Sequence, residues 1–116
     1  QYSYARGRSI LRRAEIEYND ADLGLLVGKE EYELAKALSN FGEAVENSAA
    51  KNEPFYVNRY VTNLAKAFNK FYNSHPILKS DVCDDVKKAR LALVDATTQV
   101  IKTALGLLGI QTVEKM

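Results

Sequence analysis

Apolar residues in this chain recur every three to four positions, and no segment sustains the two-residue alternation of a strand. Val57, Tyr60, Val61, Leu64, Phe68, Phe71 and Tyr72 form one such stripe. Val86, Ala89, Leu93, Val94, Thr97, Val100, Ile101, Ala104, Leu105 and Leu108 form a longer and broader one. At about 100° per residue, such spacing lays an apolar stripe along an α-helix, a broad one in the second case. Helices with one apolar face must bury it against each other, so the pattern predicts an all-α bundle of about four to five helices.

The limits of these elements follow from local chemistry. A first helix is expected over residues 3–18, closed by the polar turn Asn19-Asp20-Ala21-Asp22. Leu23-Gly24-Leu25-Leu26-Val27 is short and broken by glycine, and reads as a buried connector. A second helix is expected from Gly28 to Ala50, with Glu30, Glu31 and Glu33 near its positive end and Leu34, Leu38, Phe41, Val45 and Ala49 as its stripe. Pro54 suits the first position of a third helix, which Asn73-Ser74-His75-Pro76 stops. The fourth starts near Asp81 as N-cap and ends at Gly109.

A chain of 116 residues is one domain's worth and can bury a core without disulfides or metal. Its single cysteine, Cys83, excludes an internal disulfide and fits a reducing, cytoplasmic setting. No apolar run approaches the roughly 20 residues of a membrane span, so no membrane partner is expected. The first residue is glutamine, inside a patterned segment, which suggests a piece of a longer chain.

Reaction chemistry finds no footing. One histidine and one cysteine fall short of a zinc ligand set, and no metal is expected. His75 before Pro76 reads as a loop residue. Cys83 lies among Asp81, Asp84 and Asp85, where negative charge disfavours a thiolate. The glycines are scattered singly, with no phosphate-cradling loop. The pairs Glu30-Glu31 and Asp84-Asp85 suit helix N-termini. No catalytic residue and no cofactor are expected in this segment.

Charge is more informative. Residues 1–14 hold four arginines and no acid, and residues 15–53 hold ten acids against three lysines. Residues 54–80 carry Arg59, Lys66, Lys70 and Lys79 without an acid. Two basic segments flanking an acidic one form a single basic face if their helices pack side by side. In "QYSYARGRSI", Tyr4, Gly7, Leu11, Ala14 and Tyr18 share one side of the wheel and Tyr2, Arg6, Ser9 and Arg13 the other. Unpaired nucleic acid is held by cations on phosphates and by rings under its bases. A solvated basic face carries the same pattern. Tyr56, Tyr60 and Tyr72 fit either a core or a stacking surface, and Asn69 and Asn73 of "AFNKFYN" either cap a helix end or read a base edge.

Four segments together, "QYSYARGRSILRRA", "LAKAFNKFYNSHPIL", "ARLALVDATTQVIKTALGLLGI" and "VEKM", resemble the C-terminal anticodon-binding domain of arginyl-tRNA synthetases, the DALR-type helical bundle. The likeness spans residues 1–116, in order and spacing. Related domains occur in cysteinyl-tRNA synthetases and glycyl β subunits, and "LGLLGI" followed by a terminal Met favours the arginyl type. Many members have histidine where this chain has Tyr4, a packing position, so the departure touches little of the RNA contact. The resemblance implies a C-terminal fragment whose catalytic domain lies elsewhere in the same chain, where arginine is joined to tRNA using ATP. It also implies an anticodon pocket for the middle cytosine of arginine tRNA, lined by Tyr2, Arg6, Tyr72 and Met116. Ser9, Arg13 and Asn69 are placed as flanking RNA contacts. A helical protein–protein interaction module is the reading from another class.

Overall fold

The computed structural model describes residues 1–51, 53 and 55–109; the calls on Pro54 and Met116 lie outside the described residues. Five α-helices follow in order: α1 (Tyr2–Arg13), α2 (Lys29–Ser39), α3 (Phe41–Lys51), α4 (Phe55–Ser74) and α5 (Asp84–Leu107), with a short 3-10 turn at Leu23–Leu25. Among the described residues there is no strand. The all-α bundle expected from the periodicity is the observed architecture.

α5 is the central element. Its buried residues, among them Ala89, Leu91, Val94, Thr97, Thr98, Ile101 and Ala104, point to more than one side. The hydroxyls this buries are satisfied within the helix: Thr97 donates to the Leu93 carbonyl at 2.8 Å and Thr98 to that of Asp95 at 2.9 Å. α4 lays Val57, Val61, Leu64, Phe68 and Phe71 into the same core, one residue per turn. Pro76 ends it as expected, with the His75 N–H closing the last turn onto Phe71 O at 2.9 Å. Gly109, at φ 74°, terminates α5 in a left-handed conformation that glycine adopts freely.

Three boundaries and one burial differ from the sequence expectation. α1 ends at Arg13 because Ala14 is extended (φ −68°, ψ 132°). From there Ala14, Ile16 and Tyr18 turn inward and Glu15, Glu17 and Asn19 outward, an alternation that lays an extended strap against the core. The Tyr18 hydroxyl fastens it to α5 by donating to Asp95 at 3.1 Å. The expected second helix is two, divided at Asn40 (φ −90°, ψ 1°). Ser39 turns its hydroxyl onto the Lys36 carbonyl at 2.6 Å, and such local bonds loosen a helix. The break lets α3 lean on α4, with the Phe41 and Tyr60 rings 5.5 Å apart.

Leu23–Val27 is not a buried connector. Leu23 is 60% and Val27 85% exposed, because a single 3-10 turn capped by Asp22 cannot turn all five side chains to one side. The N-cap of α5 is Cys83 rather than Asp81. Asp81 belongs to a preceding turn closed by Val82 N–H onto Lys79 O, and Asp84 and Asp85 take the dipole-favoured first turn.

Tyr60 joins α4 to α2 by donating its hydroxyl to the Ala37 carbonyl at 2.7 Å, and burial pushes its phenol up to about 12. Tyr60→Phe is expected to cost about 1 kcal/mol. The raised value also sets a sign. Below the ordinary 10.0 the phenol is neutral folded and unfolded, while between there and about 12 only the unfolded chain ionises. Stability therefore falls as alkali approaches the upper value. Denaturant melts of both proteins, at neutral pH and in this alkaline window, check it: the variant should lose stability less steeply than the parent.

Candidate nucleic-acid interface

α1 and α4 build the site at their junction. The Gln1 side chain caps α1 by accepting from the Tyr4 N–H at 2.9 Å, which fixes the first turn. Tyr4, Ala5, Gly7 and Ile10 then face inward, as the wheel requires of Tyr4 and Gly7. Gly7 lets α1 approach the other helices closely: a Cβ there would stand 2.5 Å from the Thr98 methyl on α5 and 3.7 Å from the Phe68 ring on α4.

That approach brings Arg6 between two aromatic rings. Its guanidinium carbon lies 4.5 Å from the Tyr2 ring centroid and 4.3 Å from that of Tyr72. Tyr2 precedes Arg6 by one helical turn, and Tyr72 comes across from the last turn of α4. Each cation–ring contact at such separation contributes about 0.5–1 kcal/mol at an exposed site. Arg6 Nη2 donates to the Tyr2 hydroxyl, and Nη1 to Asn69 Oδ1 at 3.5 Å. The same Asn69 oxygen accepts from the Ser3 hydroxyl at 3.4 Å. Tyr72 is backed by Phe68, with the rings 6.4 Å apart and 28° from parallel. The cation is thus held by three residues, Tyr2, Tyr72 and Asn69, while Tyr2 stays 52% exposed.

Beyond Tyr72 opens a cleft of about 490 Å³, lined by Ile10, Arg13, Tyr72, Asn73, Ile77 and Lys79 among others. Arg13 lies along α1, its Nε donating to the Ser9 carbonyl at 3.4 Å. The surface therefore offers stacking faces, amide groups and three cations on one side of the bundle. Glu15 and Asp84 line a neighbouring cleft that shares Arg13. Lys66 and Lys70 lie with Glu30 and Glu33 on the α2 side, so among the described residues of the second basic segment only Lys79 joins this surface. Stacking faces, amide groups and cations are what a nucleic acid needs from an unpaired-base site.

Of the residues expected here, Tyr2, Arg6, Asn69 and Tyr72 form one constellation. Asn69 sits at its centre rather than at its flank. Arg13 borders the cleft next to it, and Ser9 is half-buried beside Arg13 through its carbonyl. Sequence reasoning missed Ser3, which adjoins Arg6 on the helical wheel and could have been found there. It also missed the loop wall around Ile77, which no α1 or α4 pattern announces. His75 is a loop residue, as expected, but a partnered one. Its Nε2 lies 3.0 Å from Glu30 Oε1, and that hydrogen bond holds the Glu30 carboxyl below its ordinary value.

Among the described residues, no group of three His, Cys, Asp or Glu side chains is placed to hold a metal ion. No helix there is long and apolar enough to cross a membrane.

Comparison with known proteins shows the family. The chain matches the DALR anticodon binding domain over residues 1–116. It is 57% identical over 116 residues to the arginine–tRNA ligase of Clostridium botulinum, and 52% over 119 to that of Clostridium kluyveri. All of this chain is covered in each, but only 20% and 21% of those proteins, so it spans about a fifth of its curated relatives' length. Among solved structures, the arginyl-tRNA synthetase of Thermus thermophilus superposes with a TM-score of 0.89 at 34% identity, over 99% of this chain and 20% of that one. The Plasmodium falciparum enzyme shares the fold, at 0.83 and 23% identity over the same shares.

Proposed function

Because the chain belongs to the DALR anticodon binding domain family, we propose that it holds the anticodon loop of arginine tRNA. It would do so as the C-terminal domain of a cytoplasmic arginine–tRNA ligase. The observation that carries this reading is the Arg6 guanidinium fixed between Tyr2 and Tyr72, with Asn69 beneath it. An unstacked base finds there a ring to lie on and donors for its edge, and Arg13 and Lys79 stand within the same surface for flanking phosphates. Met116 completes the proposal as a further residue of the anticodon pocket.

Attachment of arginine with ATP belongs, on this reading, to a catalytic domain of the same polypeptide. This segment selects and positions the tRNA, and its partners are that tRNA and that catalytic domain. Titration of an arginine anticodon stem-loop at two salt concentrations tests the proposal. Binding that weakens steeply with salt supports it, since released counterions report phosphate contacts. Absence of binding, or binding indifferent to salt, would contradict it.

A further inference from the structure

The cleft beside Tyr72 has a wall that neither α1 nor α4 supplies. Residues 75–79 leave the end of α4 and pass along it, with Ile77 and Lys79 among its lining. The loop backbone is tied at its ends, by His75 N–H to Phe71 O and by Val82 N–H to Lys79 O. Between those ties Ile77 buries its side chain, and Arg90 of α5 donates Nη1 to the Pro76 carbonyl at 2.5 Å.

Arg90 is itself held. Its Nε donates to Glu31 Oε2 at 2.9 Å, and the other oxygen of that carboxylate accepts from the Gly28 N–H at 2.9 Å. Glu31 is only 2% exposed. His75 closes the cluster, stacked on Phe71 and with its Nδ1 3.8 Å from Glu31 Oε1. A Cβ at Gly28 would collide with the His75 ring, so the contact demands glycine. Three elements meet here: the start of α2, the loop after α4 and the second turn of α5.

A buried ion pair is a poor source of stability, because apolar residues of equal volume serve as well or better. What a fixed guanidinium supplies is direction. One end is locked by a buried carboxylate, and the other holds a loop carbonyl that no helix would satisfy. We infer that Arg90 is a positioning residue for RNA recognition: pinned by Glu31, it holds the Pro76 carbonyl and so fixes the loop that presents Lys79 to RNA beside Tyr72. The inference rests on the RNA-binding reading above, and touches RNA only through the loop.

The test compares Arg90→Gln, Arg90→Lys, Lys79→Ala and the double variant Arg90→Gln/Lys79→Ala in the 116-residue chain. In the protein without RNA, Arg90→Gln should speed amide hydrogen exchange across Ile77–Lys79 while helicity is kept. With an arginine anticodon stem-loop, it should weaken binding roughly fivefold, within the range seen for residues that act through others. The salt slope should fall by about one, as when a single phosphate contact is lost. Adding Lys79→Ala to Arg90→Gln should then cost nothing further, since both remove the same contact. Arg90→Lys keeps a charge beside Glu31 but cannot serve both acceptors, so it should show the same loosened loop with a weaker binding loss. It carries the test if Arg90→Gln does not fold. Parental exchange and affinity in both Arg90 variants, or losses that simply multiply with Lys79→Ala, would overturn the inference. If the loop loosens but the parent binds no stem-loop, the RNA reading falls and takes the role of Arg90 with it; the loop contact alone stands.

Discussion

Arg6→Ala should weaken binding of a middle-cytosine anticodon loop by about 1–3 kcal/mol and narrow its advantage over a middle-uridine loop. The expectation comes from where the guanidinium is held before any RNA arrives. Two rings sandwich it and Asn69 and the Tyr2 hydroxyl orient it, so little side-chain freedom is left to lose on binding. A group so fixed suits a directed contact with a base edge. A base edge must be met in its own plane, so it gains more from such restraint than a phosphate, which accepts from a wider range of directions. The two roles separate in the data. Equal weakening of both loops, with a salt slope reduced by about one, would make Arg6 a phosphate clamp. The fold itself should persist, with about 1–2 kcal/mol of stability lost with the two ring contacts.

Gly7→Val should have the largest effect on stability, about 3 kcal/mol, lowering the thermal midpoint by roughly 10 °C. Thr98, whose methyl a Cβ would strike, is fully buried, and Val94 and Phe68 stand behind it at 3.5 and 3.7 Å. The neighbours have nowhere to retreat, so α1 must move. Gly7→Ala is the sharper comparison. Alanine gains up to about 1 kcal/mol of helix propensity over glycine, so any net loss measures the clash. A stabilised Gly7→Ala protein would show that α1 and α5 are not so close. Because Gly7 also sets the distance between Arg6 and Tyr72, the valine variant should bind RNA poorly even where it remains folded.

The faces of α1 were legible because a 3.6-residue period assigns them without reference to the rest of the chain. Tyr4 and Gly7 fell inward, and Tyr2, Arg6 and Arg13 outward. Its end was not legible, since Ala14 and Tyr18 fit a helical step while Ile16 and Tyr18 fit an extended one. The extended choice is made by Asp95, a residue far along the chain that accepts the Tyr18 hydroxyl. Asn40 is tolerated in a helix, so its break appears only when Phe41 finds Tyr60. Leu23 and Val27 stay exposed despite their apolar character, because burial requires a surface to face.

The site divides in the same way. "QYSYAR" showed the cation and one ring, and only the resemblance supplied the second, Tyr72, because its place depends on α1 crossing α4, which is a tertiary fact. The chemistry of Asn69 is legible in "FNKFY", but its central place follows from that crossing. The loop wall and Arg90 carry no periodic signal at all, because an ion pair between Glu31 and Arg90 joins residues whose local patterns each suit a solvated helix.

The central claim is that the Tyr2–Arg6–Tyr72 stack receives an unpaired base of the anticodon loop. Nuclear magnetic resonance of the Arg6 Nε–H and the Tyr2 and Tyr72 ring protons, followed while an arginine anticodon stem-loop is added, addresses it most directly. Saturable shifts of all three groups are expected with a middle cytosine, and weaker ones with a middle uridine at the same concentration. Shifts that leave these three groups unmoved and fall instead on α2 and α3 would contradict it.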